Sequence, residues 1–345
     1  MKRRSILSWL AIFFVSLTLT VSCTQTQTPS PAPGGSPAAS PTGAIVRMGF
    51  SVWPGWLPWQ VTQDEKIFEK NNVRVDLKWF DGYLDSIKAL TAGQLDANTQ
   101  TLNDTISSVA AGSDQVIVLT NDNSTGNDQI IVRDGINTIA DLKGKKVAAE
   151  EGTVDHFLLL LGLQKAGLTQ ADIDFQPLET GAAAAAFAAG RLDAVGVFAP
   201  FTTQALKRSG SKVLFSSKDF PGAIPDHLTF SRKFVEQNPD AVQTMVNSWF
   251  DTLAYIQANR DKAYEIMAKR AGVSVEEYKA YDTGTRLFTL EENLKAFQDG
   301  KDMTSLPYAA REISKFLVDS KLVTKAPDLT KLFDDRFIKA AAARK

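Results

Sequence analysis

The sequence predicts an α/β protein built as two similar lobes, each a mostly parallel sheet flanked by helices. Three observations carry that expectation. Residues 89–97 (ALTAGQLDA) return as residues 186–194 (AFAAGRLDA). Each copy ends an apolar helix on a Gly, the residue best suited to a left-handed C-cap, and runs through Leu-Asp-Ala into a short strand. Strand and helix patterns alternate around both copies, which favours parallel pairing, and their placement in separate halves favours two lobes over one large sheet. Third, Trp53, Trp56 and Trp59 fall within the Pro/Gly turn 52–59, between an apolar strand (45–51) and a helix (60–70). Strand-to-helix turns are where open α/β sheets bind ligands, and flat indole faces there suit a small planar or cationic group. The alternative is that the rings plug the end of a core.

The chain begins with Lys2, Arg3 and Arg4, continues with an apolar run over 6–19 and reaches Val21-Ser22 before Cys23. That run is short for a bilayer span, so residues 1–22 are expected to be an export signal. The segment resembles a bacterial lipoprotein signal, in which the cysteine is lipidated. It departs from that pattern at Thr20, where Leu is preferred, with Leu19 one place earlier. Ordinary secretory cleavage would leave Cys23 a free thiol. As the sole cysteine it cannot form an internal disulfide. Residues 23–43, rich in Thr, Gln, Pro and Ser, have no apolar periodicity and are expected to tether a soluble domain to the membrane surface. Loss of Lys2, Arg3 and Arg4 with residues 1–22 takes the formal charge from −1 to −4 (−1 − 3). No basic tract argues for nucleic acid.

Further along, Val73, Val75, Leu77 and Trp79 alternate as a strand, and helices are predicted over 85–92 and 103–111. Strands 116–119 and 129–132 flank 121–128, expected to be a polar loop. A helical turn, Gly144 and a strand occupy 139–147. A helix over 154–165 stops at Gly167, a strand follows over 174–178, and 182–189 is helical by composition. From 231 onward the pattern is mostly helical.

In this order the residues resemble the type II periplasmic substrate-binding proteins of ABC importers, in the nitrate/sulfonate/taurine-like branch. The resemblance rests on the two Ala-Gly-x-Leu-Asp-Ala units, on 139–147, and on Gly152-Thr153-Val154-Asp155-His156-Phe157. It implies two α/β lobes joined by two crossing strands, with the ligand in the cleft between them. Residues 44–132 with 227–345 would form lobe one and its C-terminal helices, and 133–226 lobe two, with crossings near Val132 and His227. Lobe one is similar to binding proteins encoded beside urea-carboxylase-type enzymes and associated with guanidine use. The matching residues are Gly55-Trp56, Pro58-Trp59, Tyr83, Asp85-Ser86, Asn103-Asp104, Ser124 and Gly126-Asn127-Asp128. Lobe two departs from the wider branch, whose Trp-Glu-Pro reads here as Phe198-Ala199-Pro200, so no ligand role passes to Ala199.

The chemistry of the loops points to a cation independently. Anion sites use helix N-termini, hydroxyls, Arg or Lys. The predicted strand ends here carry Asp81, Asp85, Asp104, Asp122 and Asp128 in the first half, and Glu150, Glu151, Asp155 and Glu179 in the second, with hardly a basic side chain. A guanidinium offers N–H donors around its rim to carboxylates and a weakly hydrated face to indoles. The candidate ligand residues are Trp53, Trp56, Trp59, Asp81, Asp85, Asp104, Asp128, Glu151 and Thr153. Asp85 and Asp104 could equally be helix caps. Asp96 and Asp193, in the repeat, are expected to be structural, Asp122 solvated and His156 a packing residue. Two histidines exclude a His-rich metal site, and no cofactor is expected.

Nucleophile-elbow, phosphate-loop and Cys/His signatures are missing, so the expected function is capture rather than catalysis. The chain is expected to be a lipid-anchored monomer on the periplasmic side of the cell membrane. It would deliver a guanidinium-like cation to an ABC permease and ATPase. The alternative ligands are an oxyanion (a sulfonate such as taurine, nitrate or bicarbonate) or a thiamine-precursor pyrimidine; sensing for a signalling partner is the alternative role.

Overall fold

The computed structural model describes residues 43–344. The expected signal peptide, Cys23 and the tether up to residue 42 lie outside the described residues. The chain first lays down β1 (Ile45–Phe50), β2 (Arg74–Trp79), β3 (Ala97–Thr101) and β4 (Gln115–Ser124). It then builds β5 (Asp128–Val132), β6 (Lys146–Ala149), β7 (Asp174–Pro177), β8 (Ala194–Phe198) and β9 (Lys212–Ser216). It returns through β10 (Pro225–Ser231) and adds β11 (Thr285–Leu287) among the C-terminal helices.

These strands form two sheets, ordered β11-β4-β10-β3-β1-β2 and β7-β6-β8-β5-β9. Both follow one plan. A parallel trio, β2-β1-β3 or β7-β6-β8, is extended by an antiparallel strand, β10 or β5, that enters from the other crossing. The sheets are therefore parallel at one side and antiparallel at the other.

The sequence repeat explains the shared plan. The carboxylate of Asp96 accepts from the Arg47 backbone N–H at 3.0 Å and from its guanidinium at 2.8 Å. Asp193 accepts from the Lys146 backbone N–H at 2.9 Å and from the Arg133 guanidinium at 2.6 Å. Each Asp thus ties the head of a first strand to its surroundings. Gly93 and Gly190, at φ +72° and +79°, turn the preceding helices into these strands.

Two boundaries differ from expectation. The outward crossing lies between Ser124 and Asp128, not near Val132, because the whole of Asp128–Val132 pairs with β8 and β9. The return lies between Ser216 and Pro225. The two crossings are tied where they meet: Ser124 and Ser217 share a hydroxyl–hydroxyl bond of 2.7 Å, and Gly126 N–H donates to Ser217 Oγ at 2.7 Å. The second difference is that 121–124 is buried strand rather than loop. Its backbone pairs with β10 on one side and β11 on the other. Asn293 completes the pairing, with Thr120 N–H donating to its Oδ1 at 2.7 Å.

The helix expected over 60–70 is two helices, Pro58–Asp64 and Ile67–Lys70, separated by Lys66 at φ +57°. The break lets Phe68 lie flat on Trp59 (6.0 Å between centroids, 9° between planes). Trp249, from the long helix Pro239–Ala258, meets the same indole at 4.8 Å. Trp59 is therefore a core residue of lobe one.

Candidate ligand site between the lobes

The turn after β1 places Trp53 and Trp56 at the cleft, both buried. Its Gly55 does not hold a left-handed conformation; it is required by close approach. A Cβ there would lie 1.9 Å from Asp122 Oδ2. With that space open, Trp53 Nε1–H donates to Asp122 Oδ1 at 2.9 Å. Tyr83, at the head of the helix Tyr83–Thr91, packs against Trp56 with ring centroids 5.2 Å apart. From the other lobe, Phe198 at the end of β8 presents its edge to Trp53 (6.2 Å, 82°) and to Tyr83 (6.4 Å, 88°). Four aromatic rings thereby enclose a cavity of about 10 Å³, whose wall is completed by Thr101, Asp128, Val154 and Asp226. A space of that size takes roughly one water.

Around this box are six buried carboxyl groups, three from each lobe: Asp104, Asp122 and Asp226 from the first, Asp128, Glu150 and Asp155 from the second. Among the described residues none of the six forms an ion pair; the described salt bridges lie elsewhere. Asp104 is fully engaged. It accepts from Tyr83 Oη, Thr101 Oγ1 and Asn103 Nδ2, each at 2.7 Å. Asp155 accepts from Thr180 Oγ1 at 2.6 Å. By contrast Asp122 Oδ2, Asp128 Oδ2 and both oxygens of Asp226 receive no hydrogen bond from a backbone or neutral side-chain donor, although each is buried, and Asp155 Oδ1 is likewise without one; Asp122 and Asp226 lie within hydrogen-bonding reach of one another. Unpaired buried acceptors of this kind are costly, because a carboxylate out of water needs donors or counter-charge.

Burial accordingly pushes the acids up. Asp104, Asp128 and Glu150 rise to about 7, chiefly by loss of water, with neighbouring carboxylates adding to the effect at Asp128 and Glu150. Asp155 and Asp226 are raised well above the usual carboxylate range, again by burial first and then, at Asp226, by Asp122. His227, beside Asp226 in sequence, is driven down to about 3 by burial and supplies no positive charge near neutral pH. The arrangement is a buried, aromatic-walled box with carboxyl oxygens free to accept and no lysine or arginine among its lining residues.

Of the residues expected to bind ligand, Trp53, Trp56 and Asp128 line the cavity, and Asp104 stands behind Tyr83. The others do not reach it. Trp59 is in the core. Asp81 is exposed and accepts from Trp79 Nε1 at 2.8 Å, and Asp85 is exposed beside Lys88 at 3.5 Å. Glu151 is exposed on a separate groove with His156 and Phe175. Thr153 is buried and its hydroxyl donates to the Glu150 carbonyl at 2.9 Å, closing the turn before the helix Val154–Lys165. Asp122, expected to be solvated, is fully buried. Asp226 and Thr101 carried no motif of their own; Phe198 was marked only as standing where the wider branch has the Trp of Trp-Glu-Pro, and Tyr83 only by its place in the guanidine-associated pattern.

Two sheets of one plan, joined by paired crossings and enclosing a site between them, define a two-lobed periplasmic binding protein fold. This is a binding protein rather than an enzyme. The chain belongs to the NMT1-like family, whose model matches residues 39–272. A Brucella abortus (strain 2308) protein, named as a binding protein with no ligand specified, is 27% identical over 248 residues, 70% of this chain and 75% of that protein. An Escherichia coli K12 protein, provisionally named as binding aliphatic sulfonates, is 28% identical over 240 residues, 68% of this chain and 74% of that one. Among solved structures, the alkanesulfonate-binding protein SsuA from Xanthomonas axonopodis pv. citri, bound to MOPS, superposes with a TM-score of 0.73. It is 20% identical, with 86% of this chain and 100% of that one covered. At that identity the likeness is one of fold.

Proposed function

We propose that this protein is the solute-binding component of an ABC importer and that its ligand is a small planar cation, guanidinium before others. Anchored through Cys23 outside the cell membrane, it would close its lobes on the cation and present the closed form to the permease and its ATPase. The observation that carries the reading is the set of unpartnered carboxyl oxygens of Asp122, Asp128 and Asp226 in a box walled by Trp53, Trp56, Tyr83 and Phe198. Charged hydrogen bonds contribute about 1.5–3 kcal/mol each and cation–π contacts about 0.5–2. Two or three such bonds and one ring sum to about 3.5–11 kcal/mol, a range that includes the roughly −8 kcal/mol of micromolar binding. Asp128 comes from the second sheet and Asp226 from the first, so the ligand's shell is complete only when the lobes meet.

The second reading is an oxyanion, favoured by the sulfonate names that relatives carry. Against it stands the lack of a lysine or arginine among the residues lining the cavity, where an anion would face carboxyl groups. A thermal-shift panel of guanidinium, urea, taurine, nitrate and a thiamine-precursor pyrimidine on the purified protein decides between them. Guanidinium should raise the melting temperature and taurine and nitrate should not. The reverse pattern overturns the cation reading.

A further inference from the structure

Asp122 and Asp226 face one another as register partners on the antiparallel strands β4 and β10, so both side chains leave the sheet on one side. Both are buried, Asp226 lines the cavity, and apart from the facing Asp122 no group bonds either of its oxygens. Asp122 is held by one donor, the Trp53 indole at 2.9 Å, and its second oxygen is free. Nothing packed around the pair supplies positive charge. Asp128 from β5, Asp104 behind Tyr83, and Asp155 and Glu150 from the second lobe are all acids. The hydroxyl of Tyr278 donates to the Pro54 carbonyl at 2.8 Å. On the adjoining strand β11, Arg286 turns to Glu292. His227 makes a 3.3 Å contact through Nδ1 with the Thr120 hydroxyl. Two carboxylates within hydrogen-bonding reach of one another, without counter-charge, cannot both ionise out of water.

We infer that Asp122 and Asp226 share a proton in the ligand-free protein and that the incoming cation takes its place, so that capture is a one-for-one exchange of cation for proton. The inference rests on the cation reading above. The charge balances: a pair holding one proton carries −2 + 1 = −1, and the same pair ionised around a guanidinium carries −2 + 1 = −1. The proton leaves to solvent as the cation enters, so no additional charge is buried. An ordinary surface carboxylate pair, already ionised at neutral pH, would release nothing.

Two consequences follow in pH. Where capture releases a proton, affinity rises up to tenfold for each pH unit. The ligand-free fold behaves oppositely. Its buried acids hold protons more tightly folded than unfolded, so the stability they contribute is full near pH 4 and is lost as pH rises through about 7.

Titration calorimetry of guanidinium chloride into the purified protein, at pH 6, 7 and 8 in phosphate and in Tris, counts the protons. At pH 8, where Asp104, Asp128 and Glu150 are mostly ionised, heats should differ between buffers by about one proton's ionisation enthalpy per cation bound, and affinity should increase from pH 6 to 8. Asp226→Asn should release about one proton fewer, since a lone Asp122 ionises more readily. In a companion melting series without ligand, the parent protein's melting temperature should fall between pH 5 and pH 8. Binding with equal heats in both buffers and flat affinity overturns the exchange while leaving the cation reading standing. Unchanged proton release in Asp226→Asn overturns the assignment to this pair. Failure of guanidinium to bind at any of the three pH values removes the cation reading itself, and the exchange with it.

Discussion

Gly55→Ala adds one methyl group to a turn, and the structure says where it goes. The new Cβ would meet Asp122 Oδ2 at 1.9 Å, its Cγ at 2.1 Å and Oδ1 at 2.5 Å. Ordinary contact begins near 3.4 Å, so the carboxyl group or the turn must shift by about 1.5 Å (3.4 − 1.9). Asp122 has little freedom, being buried on a strand paired on both sides, with β10 and β11. The bond from Trp53 Nε1 is then broken or badly bent. A hydrogen bond to a charged group is worth about 1.5–3 kcal/mol, which converts to a loss of roughly 10- to 150-fold in affinity for guanidinium. The backbone conformation of Gly55 is open to alanine, so the fold should survive with a small drop in melting temperature. Calorimetric titration with guanidinium gives the affinity, and a thermal melt checks folding. A folded Gly55→Ala protein that binds within twofold of the parent would refute the reasoning, because Asp122 and its indole donor would then play no part in holding the cation.

Two further predictions separate site from scaffold. Asp128→Asn should weaken guanidinium binding at least tenfold with a modest change in melting temperature, whereas Glu151→Gln, on an exposed side chain outside the cavity, should leave affinity unchanged; titrations of the two variants side by side test the assignment of the second lobe's carboxylate. Asp96→Ala and Asp193→Ala should each cost about 1–2 kcal/mol in denaturant unfolding, the low end for charged hydrogen bonds because the arginine partners are partly exposed, and leave affinity intact.

The two-lobe architecture was legible because it is written locally. Gly93 and Gly190 mark helix ends, Asp96 and Asp193 mark strand heads, and their recurrence reports two copies of one unit. Trp53 and Trp56 were legible because a Pro/Gly turn after a strand is a recognisable place. Asn121, Asp122 and Asn123 were not. Reading polar runs as loops assumes that strands bury apolar side chains, and the end of β4 buries polar ones because it borders the site. Asp226 had no signature at all: its significance lies in standing opposite Asp122, a pairing set by the return crossing about 100 residues later, and non-local pairing leaves no local trace. Glu151 shows the converse error, and Asp128 does not. Both sit near a turn, but the carboxylate that reaches the cavity belongs to the strand that changes sheets.

That exchange of strands has a consequence for how the molecule comes into being. β10 lies between β3 and β4, so the first sheet remains in two unjoined pieces, β2-β1-β3 and β4, until Pro225–Ser231 has arrived. The second sheet closes over β5 with residues that all precede Phe220, and can assemble earlier. A chain emerging from its N-terminus would therefore complete its later lobe before its earlier one, and would carry the buried acids of the first half exposed to water in the meantime. Cutting the gene between the lobes cannot yield two stable halves, since the N-terminal piece lacks the strand that joins its own sheet. The carboxyl groups lose their water only at the end of folding, when the last central strand locks Asp226 beside Asp122.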